Sequence, residues 1–545
     1  MRYLIYLLLG LGSAAQGAAE TVDRERLERA EDLSESLANQ LHDFSLALRD
    51  GNWQELAAHF APQIEVRDWP QPTGAPEPVS RWVLQQAHQL DREITGAVPF
   101  AAAWRGFLQP FAVVEDVRFK VKQAHFEEGA GHASIYFFLV GRDAQKRRAW
   151  VEAKGEIDVV RQGEGGWLVE RFGLKELHSR RAASELFSEV ALAAGVHRVL
   201  PPFGQPGNQS FGAPGVAVAD VDGNGLMDVC VTGPGGNVLY LNQGDGTFVD
   251  VAATVGVQTT PPATAPLFVD FDGDNDVDLF LASTGFQMLF ENRLVPEGQL
   301  NFIDISQQAG VAYPAQGYSA ASADVDGDGR PDIYVASYNR YGTIMPDSWS
   351  RATNGTPNLL FINQGDGTFV ETATAWGVAD RRWSYAAHFG DIDEDGRQDL
   401  YVANDFGENG LYLNQGGRFR EAARESGALD PGNGMGVSLG DFDNDGRLDL
   451  HVTNMSSTAG MRILHRLFPD DAAHLSSTRV LEKLASGNSL LRNEGGGRFQ
   501  DVSASLGPLG AGWAFGGGFV DFDNDGWMDI HAPNGFVSGK SLKDT

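Results

Sequence analysis

Six copies of one acidic nine-residue segment recur between Asp220 and Asp529, and each carries aspartate or asparagine at its positions 1, 3, 5 and 9. The residues at these positions are Asp220, Asp222, Asn224 and Asp228; Asp270, Asp272, Asp274 and Asp278; Asp324, Asp326, Asp328 and Asp332; Asp391, Asp393, Asp395 and Asp399; Asp441, Asp443, Asp445 and Asp449; Asp521, Asp523, Asp525 and Asp529. Carboxylate and amide oxygens at this spacing surround one point, the hard-ligand arrangement that Ca²⁺ takes and softer metals do not. The sequence therefore predicts about six calcium ions, each with a structural role.

Position 6 of the segment is glycine in five copies and Asn275 in the second copy. Both residue types tolerate positive φ, so we expect a sharp backbone turn there. Acidic residues are often no more than solvated turns, but six copies with one spacing favour metal coordination. The segment is not an EF-hand, because Val231, Val335 and Val402 stand where that motif needs a bidentate glutamate.

The acidic segment belongs to a longer repeat that a phenylalanine opens. These residues are Phe187, Phe248, Phe302, Phe369, Phe419 and Phe499, and the first aspartate follows after 22 residues in five units and after 33 in the first. Each unit reads as four short strands: a small-residue strand before the acidic loop, an alternating apolar strand after it, a strand of the LYLN type, and a strand from the phenylalanine. Repeated units of four short antiparallel strands predict the blades of a β-propeller.

The chain resembles the FG-GAP/VCBS-repeat β-propeller family, and within it the cartilage acidic protein-like branch. The resemblance runs from about Phe187 to the C-terminus and includes the acidic loops, LYLNQGDGTF from Leu239, VANDF from Val402 and the string Phe211-Gly212-Ala213-Pro214. It implies a mainly β fold with calcium in the loops between strands 1 and 2. It also implies a secreted or surface-exposed protein with a role in binding or adhesion.

The last repeat departs from a complete propeller. After Asp529 the sequence IHAPNGFVSGKSLKDT holds no LYLN-type strand, while LFSEVALAAGV from Leu186 resembles an outer strand without a blade of its own. We expect either a chain that stops short of its natural end or an open ring with an incomplete final blade, as in an unfinished seven-bladed propeller. An unpaired blade edge would favour association with another strand.

Charge and the N-terminus limit the partners and the compartment. The chain holds 73 acidic and 42 basic residues, a net charge of −31, which disfavours nucleic-acid binding.

A signal peptide is predicted at residues 1–19, from Arg2, an apolar run to Leu11 and the small residues after it. No later segment is long enough to span a bilayer, and Cys230 is the only cysteine. We therefore expect a secreted, periplasmic or cell-surface protein without an intramolecular disulfide.

A different domain is predicted for residues 21–180, before the propeller at 187–545. Leu33, Leu37, Leu41, Phe44 and Leu48 recur at helical spacing, and strand patterns begin near Val114, His132, Ala149 and Trp167. This α+β plan resembles the nuclear transport factor 2-like cone fold, which implies a pocket that some relatives use for catalysis. Candidate pocket residues are His88, Asp91, Glu93, Tyr136, Glu152 and Glu156.

A ligand face is predicted on the rim opposite the calcium loops, where long insertions follow second strands. Its candidate residues are Asn404, Asp405, Asn454 and Asn534, although asparagines at such positions also cap strand ends. His451 and His531 occupy equivalent second-strand positions, which leaves open a transition-metal site or a role in packing.

The leading functional hypothesis is a secreted, calcium-stabilised propeller that binds a protein or glycan through this rim. The alternative is an enzyme, either a polysaccharide-active propeller or a small-molecule isomerase or hydratase in the N-terminal pocket. An apolar interior of the N-terminal domain would favour a scaffold, and an open cavity with paired acid and base groups would favour catalysis. The sequence leaves the ligand and the oligomeric state open.

Overall fold

The structure is a computed structural model that describes residues 24–127, 129–163, 166–185, 187–199, 215–259, 263–340, 343–348, 350–456, 461, 482–506, 512 and 514–534. The predicted signal peptide, the string at 211–214 and most of the insertion after Asn454 lie outside these residues. Two compact units meet in sequence between Glu189 and Val190.

The first unit is an α+β domain, as the sequence predicts. Its helices are α1 (Arg24–Arg49), α2 (Trp53–Ala58) and α3 (Ala97–Phe107). Its strands are β1 (Phe60–Pro78), β2 (Val83–Thr95), β3 (Val113–Glu127), β4 (Ala130–Arg142), β5 (Arg148–Gln162) and β6 (Gly166–Ala182), in the sheet order β1-β2-β6-β5-β4-β3. The pairing of β1 with β2 was not predicted, because five prolines interrupt the strand pattern of β1.

Aromatic and aliphatic side chains fill the interior of this domain. Helix α1 contributes Leu37, Leu41, Phe44 and Leu48, all at most 2% exposed, which confirms the helical spacing read from the sequence. The indole of Trp104 lies 4.8 Å from that of Trp69 and within 6.1 Å of six phenylalanine rings (centroid distances). The space between helices and sheet is therefore an apolar core.

The second unit consists of consecutive small antiparallel sheets. The first sheet holds β7 (Val216–Ala219), β8 (Asp228–Val231), β9 (Val238–Asn242) and β10 (Phe248–Asp250); the second holds β11 (Ala265–Val269), β12 (Asp278–Ala282), β14 (Met288–Asn292) and β15 (Phe302–Asp304); the third holds β13 (Thr284–Phe286), β16 (Pro314–Ala323), β17 (Asp332–Ser337), β18 (Leu359–Asn363) and β19 (Phe369–Glu371). The fourth holds β20 (Trp383–Gly390), β21 (Asp399–Asp405), β22 (Gly410–Asn414) and β23 (Phe419–Glu421); the fifth holds β24 (Gly436–Gly440), β25 (Asp449–Thr453), β26 (Ser489–Asn493) and β27 (Phe499–Asp501). The sixth pairs β28 (Gly518–Val520) with β29 (Asp529–His531). The described part of the unit also includes the short helices α4 (Leu294–Glu297) and α5 (Ala373–Trp376) and a helical stretch at residues 482–486.

This order confirms the predicted four-strand unit and the propeller arrangement. In the first five sheets the strands follow one another from first to fourth, and β13 adds a short edge to the third. First strands of consecutive sheets contact each other along the series β7, β11, β16, β20, β24 and β28. Because paired strands are antiparallel, the acidic loops between first and second strands share one rim, and the insertions after second strands share the opposite rim.

The second strands are more deeply buried than the sequence suggested. Their alternating pattern predicts one buried face, but every residue of β12, β17, β21 and β25 is buried. Both faces of these strands are covered because each sheet packs between two neighbours in the apolar clusters of the unit. The predicted second strands are present, and in these four the alternation of residue types does not mark an exposed face.

The segment around Gly195 occupies the place of a turn that follows an outer strand. The N–H of Phe248 donates to Ala194 at 2.8 Å, as Phe302 does to Val255 at 2.9 Å and Phe369 to Ala309 at 2.8 Å. The four residues before this turn, Phe187–Val190, form no strand in the described structure, and Phe187 is exposed. The resemblance of this segment to an outer strand thus holds for its turn and not for its strand.

Asparagines at the ends of third strands link neighbouring sheets. The side-chain N–H of Asn414 donates to Val325 of the preceding sheet at 2.8 Å, and Asn363 donates likewise to Phe271 at 2.7 Å. Asn292 and Asn493 make the equivalent bonds to Val221 and Ile392. Each acceptor is the second residue of an acidic loop, so this hydrogen bond joins one loop to the next sheet.

We predict that Asn414→Ala lowers the free energy of unfolding by about 1–3 kcal/mol, because it leaves the buried Val325 carbonyl without its side-chain donor. Asn242→Ala is the matched control. Asn242 ends the third strand of the first sheet, and in the described structure its side-chain N–H donates only to Met227 of its own sheet. Chemical denaturation should show the smaller loss for Asn242→Ala; equal losses would contradict the cross-sheet role.

Candidate metal centres

Carboxylates converge in the acidic loops. At positions 1, 3 and 9, one carboxylate oxygen from each residue lies within 4.8 Å of the others in five loops: Asp220, Asp222 and Asp228; Asp270, Asp272 and Asp278; Asp324, Asp326 and Asp332; Asp391, Asp393 and Asp399; Asp441, Asp443 and Asp449. The residue at position 5 instead accepts the N–H of position 7, as Asn224 does from Leu226 at 2.8 Å and Asp328 from Arg330 at 3.0 Å. The structure thus brings together three of the four predicted positions in these loops.

The first aspartate holds the turn of each loop. Both oxygens of Asp324 accept backbone N–H groups, from Asp328 at 3.0 Å and from Gly329 at 2.8 Å. The sixth residue adopts positive φ, as predicted, with values of +85° for Gly329 and +73° for Asn275. A Cβ at Gly329 would meet nothing within 4 Å, so the φ angle and not crowding accounts for glycine there.

The ninth aspartate is a buried carboxylate with a fixed set of donors. Asp332 accepts the N–H of Val325 at 2.9 Å through one oxygen and that of Asn363 at 2.8 Å through the other. The same two bonds recur at Asp228, Asp278, Asp399 and Asp449. With no metal bound, burial raises the pKa of Asp278 to about 8 and those of Asp332, Asp399 and Asp449 to about 6.

The third aspartate supplies the observation that fits a cation. One oxygen each of Asp393 and Asp443 is buried and has no hydrogen-bond partner among the described residues. Burial, followed by the charge of Asp395, raises the pKa of Asp393. A buried acceptor without a donor is costly, and a hard divalent cation among three carboxylates would satisfy it. The loops could therefore hold metal ions with oxygen ligands.

Arginine at position 7 modifies three of the loops. The guanidinium groups of Arg330, Arg397 and Arg447 pair with the aspartates at position 5, Asp328, Asp395 and Asp445. Arg397 and Arg447 also donate to the carbonyls of the third-strand residues Asn414 and Asn493, at 2.8 and 3.0 Å. The sequence contains these arginines, but only the structure shows that each guanidinium pairs with an aspartate of its own loop.

On the opposite rim, Asn404 and Asn454 cap strand ends. Both are fully buried. Asn404 accepts from Ser384 at 2.7 Å and donates to Glu408 at 3.0 Å, and Asn454 donates to Asp430 at 2.8 Å and to Ser489 at 3.1 Å. These contacts support the capping interpretation for the two residues.

Asp405 lies in an aromatic cluster that the sequence analysis missed. It is buried, accepts the hydroxyl of Tyr338 at 2.6 Å and the N–H of Phe406 at 3.0 Å, and burial raises its pKa to about 6. Phe406 has a φ of +60°, which is unusual for an aromatic residue. The cluster consists of Tyr318, Tyr338, Ala352, Trp383, Tyr385, Phe406 and Met435. Tyr318, Tyr385 and Met435 each stand six residues before an acidic loop, a signal that could have been read.

The remaining rim and histidine candidates do not form a group. Asn534 is exposed and forms an isolated antiparallel β-bridge with Ala514. His531 is also exposed. His451 is 1% exposed, has no hydrogen-bond partner for either ring nitrogen among the described residues, and burial lowers its pKa to about 4. Its ring centroid lies 5.9 Å from that of Phe519. These features support the packing interpretation of His451.

The N-terminal candidates do not converge in the domain interior. Tyr136 and Glu152 alternate with buried neighbours and so lie on the face of the sheet opposite the core, where the Tyr136 hydroxyl donates to Glu152 at 3.2 Å. Glu156 pairs with Lys175, and Asp91 and Glu93 are exposed. His88 is half-buried, and burial lowers its pKa.

A family model for the FG-GAP-like repeat matches residues 220–281, 270–335, 324–402, 391–452 and 480–532, more than half of the chain in all. The chain belongs to the FG-GAP-like repeat family. Every matched segment begins at or includes an acidic loop, so the acidic loops are the repeated feature of the family match.

The FG-GAP repeats also resemble cartilage acidic protein 1. The mouse (Mus musculus) protein is 27% identical over 297 residues, which cover 42% of this chain and 45% of the relative. The human (Homo sapiens) protein is 27% identical over 297 residues, covering 42% of this chain and 44% of the relative. The matched region thus spans less than half the length of these relatives.

Solved structures resemble a quarter or more of the chain. A nuclear transport factor 2-like protein of unknown function from Pseudomonas putida is 16% identical with a TM-score of 0.19, covering 26% of this chain and 86% of that protein. A hexachlorocyclohexane dehydrochlorinase is 11% identical with a TM-score of 0.20, covering 29% of this chain and 96% of that protein. Among the described residues, no helix has the length and apolar character needed to cross a membrane.

We predict that added calcium stabilises this FG-GAP protein more at about pH 7.5 than at about pH 5. The raised pKa values of the ninth aspartates mean that the metal-free folded state holds protons that the unfolded state releases near pH 4. The metal-free protein therefore loses stability as the pH rises through these values, and calcium, which binds the ionised loops, must displace fewer protons at the higher pH.

The measurement compares melting temperatures of chelator-treated protein with and without calcium across this pH range. Groups outside the loops that titrate in both samples, such as His451, change both melting temperatures alike, so their effect cancels in the comparison. A calcium-dependent rise in melting temperature that is the same at both ends of the range would contradict the prediction.

Proposed function

We propose that this protein is an extracellular interaction protein: a calcium-stabilised propeller that binds a protein or glycan through the rim opposite its acidic loops. The observation that carries the proposal is the repeated convergence of three carboxylates on one rim, each set including a buried ninth aspartate. Like charges at this distance repel each other, and a divalent cation in each loop relieves the repulsion.

Calcium is the cation that suits the donor set best. The loops offer only oxygen ligands, from carboxylates and backbone carbonyls, which disfavours zinc and copper. Ca²⁺ accepts six to eight oxygen ligands in varied geometry, whereas Mg²⁺ demands near-ideal octahedral geometry. The ninth aspartate also accepts the backbone N–H of the third-strand asparagine that bonds to the preceding sheet. Calcium in these loops, about six ions for the six copies, would therefore stabilise the packing of sheets.

The insertion rim, defined as residues 338–340, 343–348, 350–358 and 404–406, is a candidate ligand face. The insertion folds back onto the second strands, since Ala352 donates to Phe406 at 3.0 Å and Thr356 to Tyr338 at 2.9 Å. The indole N–H of Trp383 donates to Asn354 at 2.8 Å. On this hydrogen-bonded insertion, the side chains of Ile344 and Met345 are 41% and 50% exposed and present apolar groups to a ligand.

Location outside the cytosol is part of the proposal. The resemblance to cartilage acidic protein 1, the family match and the predicted signal peptide support it. Extracellular calcium concentrations keep even weak oxygen sites filled. Within the N-terminal unit, the apolar filling around Trp104 favours a scaffold over the enzymatic alternative.

We expect chelator-treated protein to recover about six calcium ions per chain, and Asp326→Ala to lower that number by about one. Asp326 is one of three carboxylates that converge in the third loop, so its loss removes a ligand from one site only. Elemental analysis after equilibrium dialysis measures the stoichiometry. Asp245→Asn, at an exposed turn outside the loops, is the control and should leave it unchanged; wild-type protein without bound calcium would contradict the proposal.

We expect the double substitution Ile344→Ser and Met345→Ser to weaken ligand binding at least about tenfold, because interfaces depend on a few apolar anchors. Arrays of glycans and of secreted proteins, probed with calcium-loaded protein, identify the ligand, and titration measures the loss. Met227→Ser on the acidic-loop rim is the control, since Met227 is also an exposed apolar residue, at 63%. Equal affinity of the rim variant and the control variant, with calcium stoichiometry intact in both, would exclude the insertion rim.

A further inference from the structure

The second acidic loop differs from the others at position 7, where it carries Asp276. This side chain is only 5% exposed. One of its oxygens accepts the N–H of Val295 at 2.9 Å, and the other is buried without a hydrogen-bond partner among the described residues. Asp276 lies close enough to Asp270, Asp272 and Asp274 for their charges to act on it. A fifth carboxylate is therefore held beside the four of the loop.

The donor to Asp276 comes from a feature found in this sheet alone among the described strand connections. Third and fourth strands are joined elsewhere by a short glycine turn, such as the one from Gln243 to Thr247. In the second sheet, helix α4 stands in that connection and presents the N–H of Val295. Arg293, beside the helix, pairs with Glu291 and Glu297. The connection thus orients Asp276, while this arginine is engaged with other carboxylates.

The third, fourth and fifth loops have the opposite charge at position 7. There Arg330, Arg397 and Arg447 each pair with the aspartate at position 5 of the same loop. The third loop therefore combines four carboxylates with one guanidinium, whereas the second loop combines five carboxylates with none. Calcium affinity of such loops rises with the number of charged ligands, so the two kinds of loop should differ in affinity.

We propose that the negative charge of the buried Asp276, added to the convergent carboxylates of Asp270, Asp272 and Asp278, makes the second loop the highest-affinity calcium site of the chain. This inference rests on the proposed calcium function and deepens it. The sites then fill in order, with calcium binding first to the second loop and last to the three loops that carry an arginine. In those three loops a cation must displace the guanidinium from the aspartate at position 5. The second and third sheets share an apolar cluster with Phe271 of this loop, so their packing would be stabilised at the lowest calcium concentration.

The test is a calcium titration of chelator-treated full-length protein against a competing chromophoric chelator. Wild-type protein should show one tight site followed by weaker ones. Asp276→Asn keeps the size of the side chain and removes its charge, and it should weaken the tight site at least about tenfold while the total number of ions stays the same. Arg330→Leu should strengthen one of the weak sites, because it frees Asp328.

Glu297→Gln is the matched control, since Glu297 lies on the same connection, is half-exposed and pairs only with Arg293 in the described structure. It should leave the tight site unchanged. Circular dichroism and melting temperature in excess calcium confirm that each variant is folded.

An unchanged tight site in folded Asp276→Asn, or wild-type sites of equal affinity, would overturn this inference and leave the proposed function standing. Wild-type protein that binds no calcium would overturn both.

Discussion

The second unit depends on how the negative charge of its converging carboxylates is neutralised. In each of five described loops, three carboxylates approach within 4.8 Å, and the ninth aspartate among them is buried. Backbone N–H groups satisfy the first and ninth residues, yet buried oxygens of Asp393 and Asp443 have no donor in the part of the chain that the structure describes. A bound divalent cation would resolve this imbalance, and the metal would then be part of the fold and not an addition to it.

That local constraint extends to the whole propeller through a short chain of hydrogen bonds. The ninth aspartate accepts the backbone N–H of a third-strand asparagine, and the side chain of that asparagine donates to the loop of the preceding sheet. Disorder in one loop would therefore weaken a hydrogen bond within its own sheet and a hydrogen bond to a neighbouring sheet. The opposite rim has no share in these bonds among the described residues, and its insertion is held by Asp405, Phe406 and Asn354 instead. The hydrogen bonds that join the sheets at the acidic loops are thus separate from those that hold the insertion.

Repetition explains why so much of this fold could be read from the sequence. Recurring positions serve the same local geometry in successive units: the first and ninth aspartates of the acidic loops, and the opening phenylalanine in five of the six units. Features that occur once were missed: the strand β1 with its prolines, the left-handed Phe406 and the amide of Val295 that holds Asp276. The burial of both faces of the second strands was also missed, because period-2 patterns describe one sheet and not the neighbours that cover it.

The sequence by itself determined the acidic loops, the order of four strands in a unit, the α+β plan of the first unit and the negative charge of the chain. These follow from residue types at fixed local spacing. Only the tertiary structure decided which described oxygens are buried without partners, which arginines pair with loop aspartates, and which hydrogen bonds Asn404 and Asn454 make. Such properties depend on groups that are distant in sequence and come into contact only when the sheets pack. Local residue spacing therefore does not predict them.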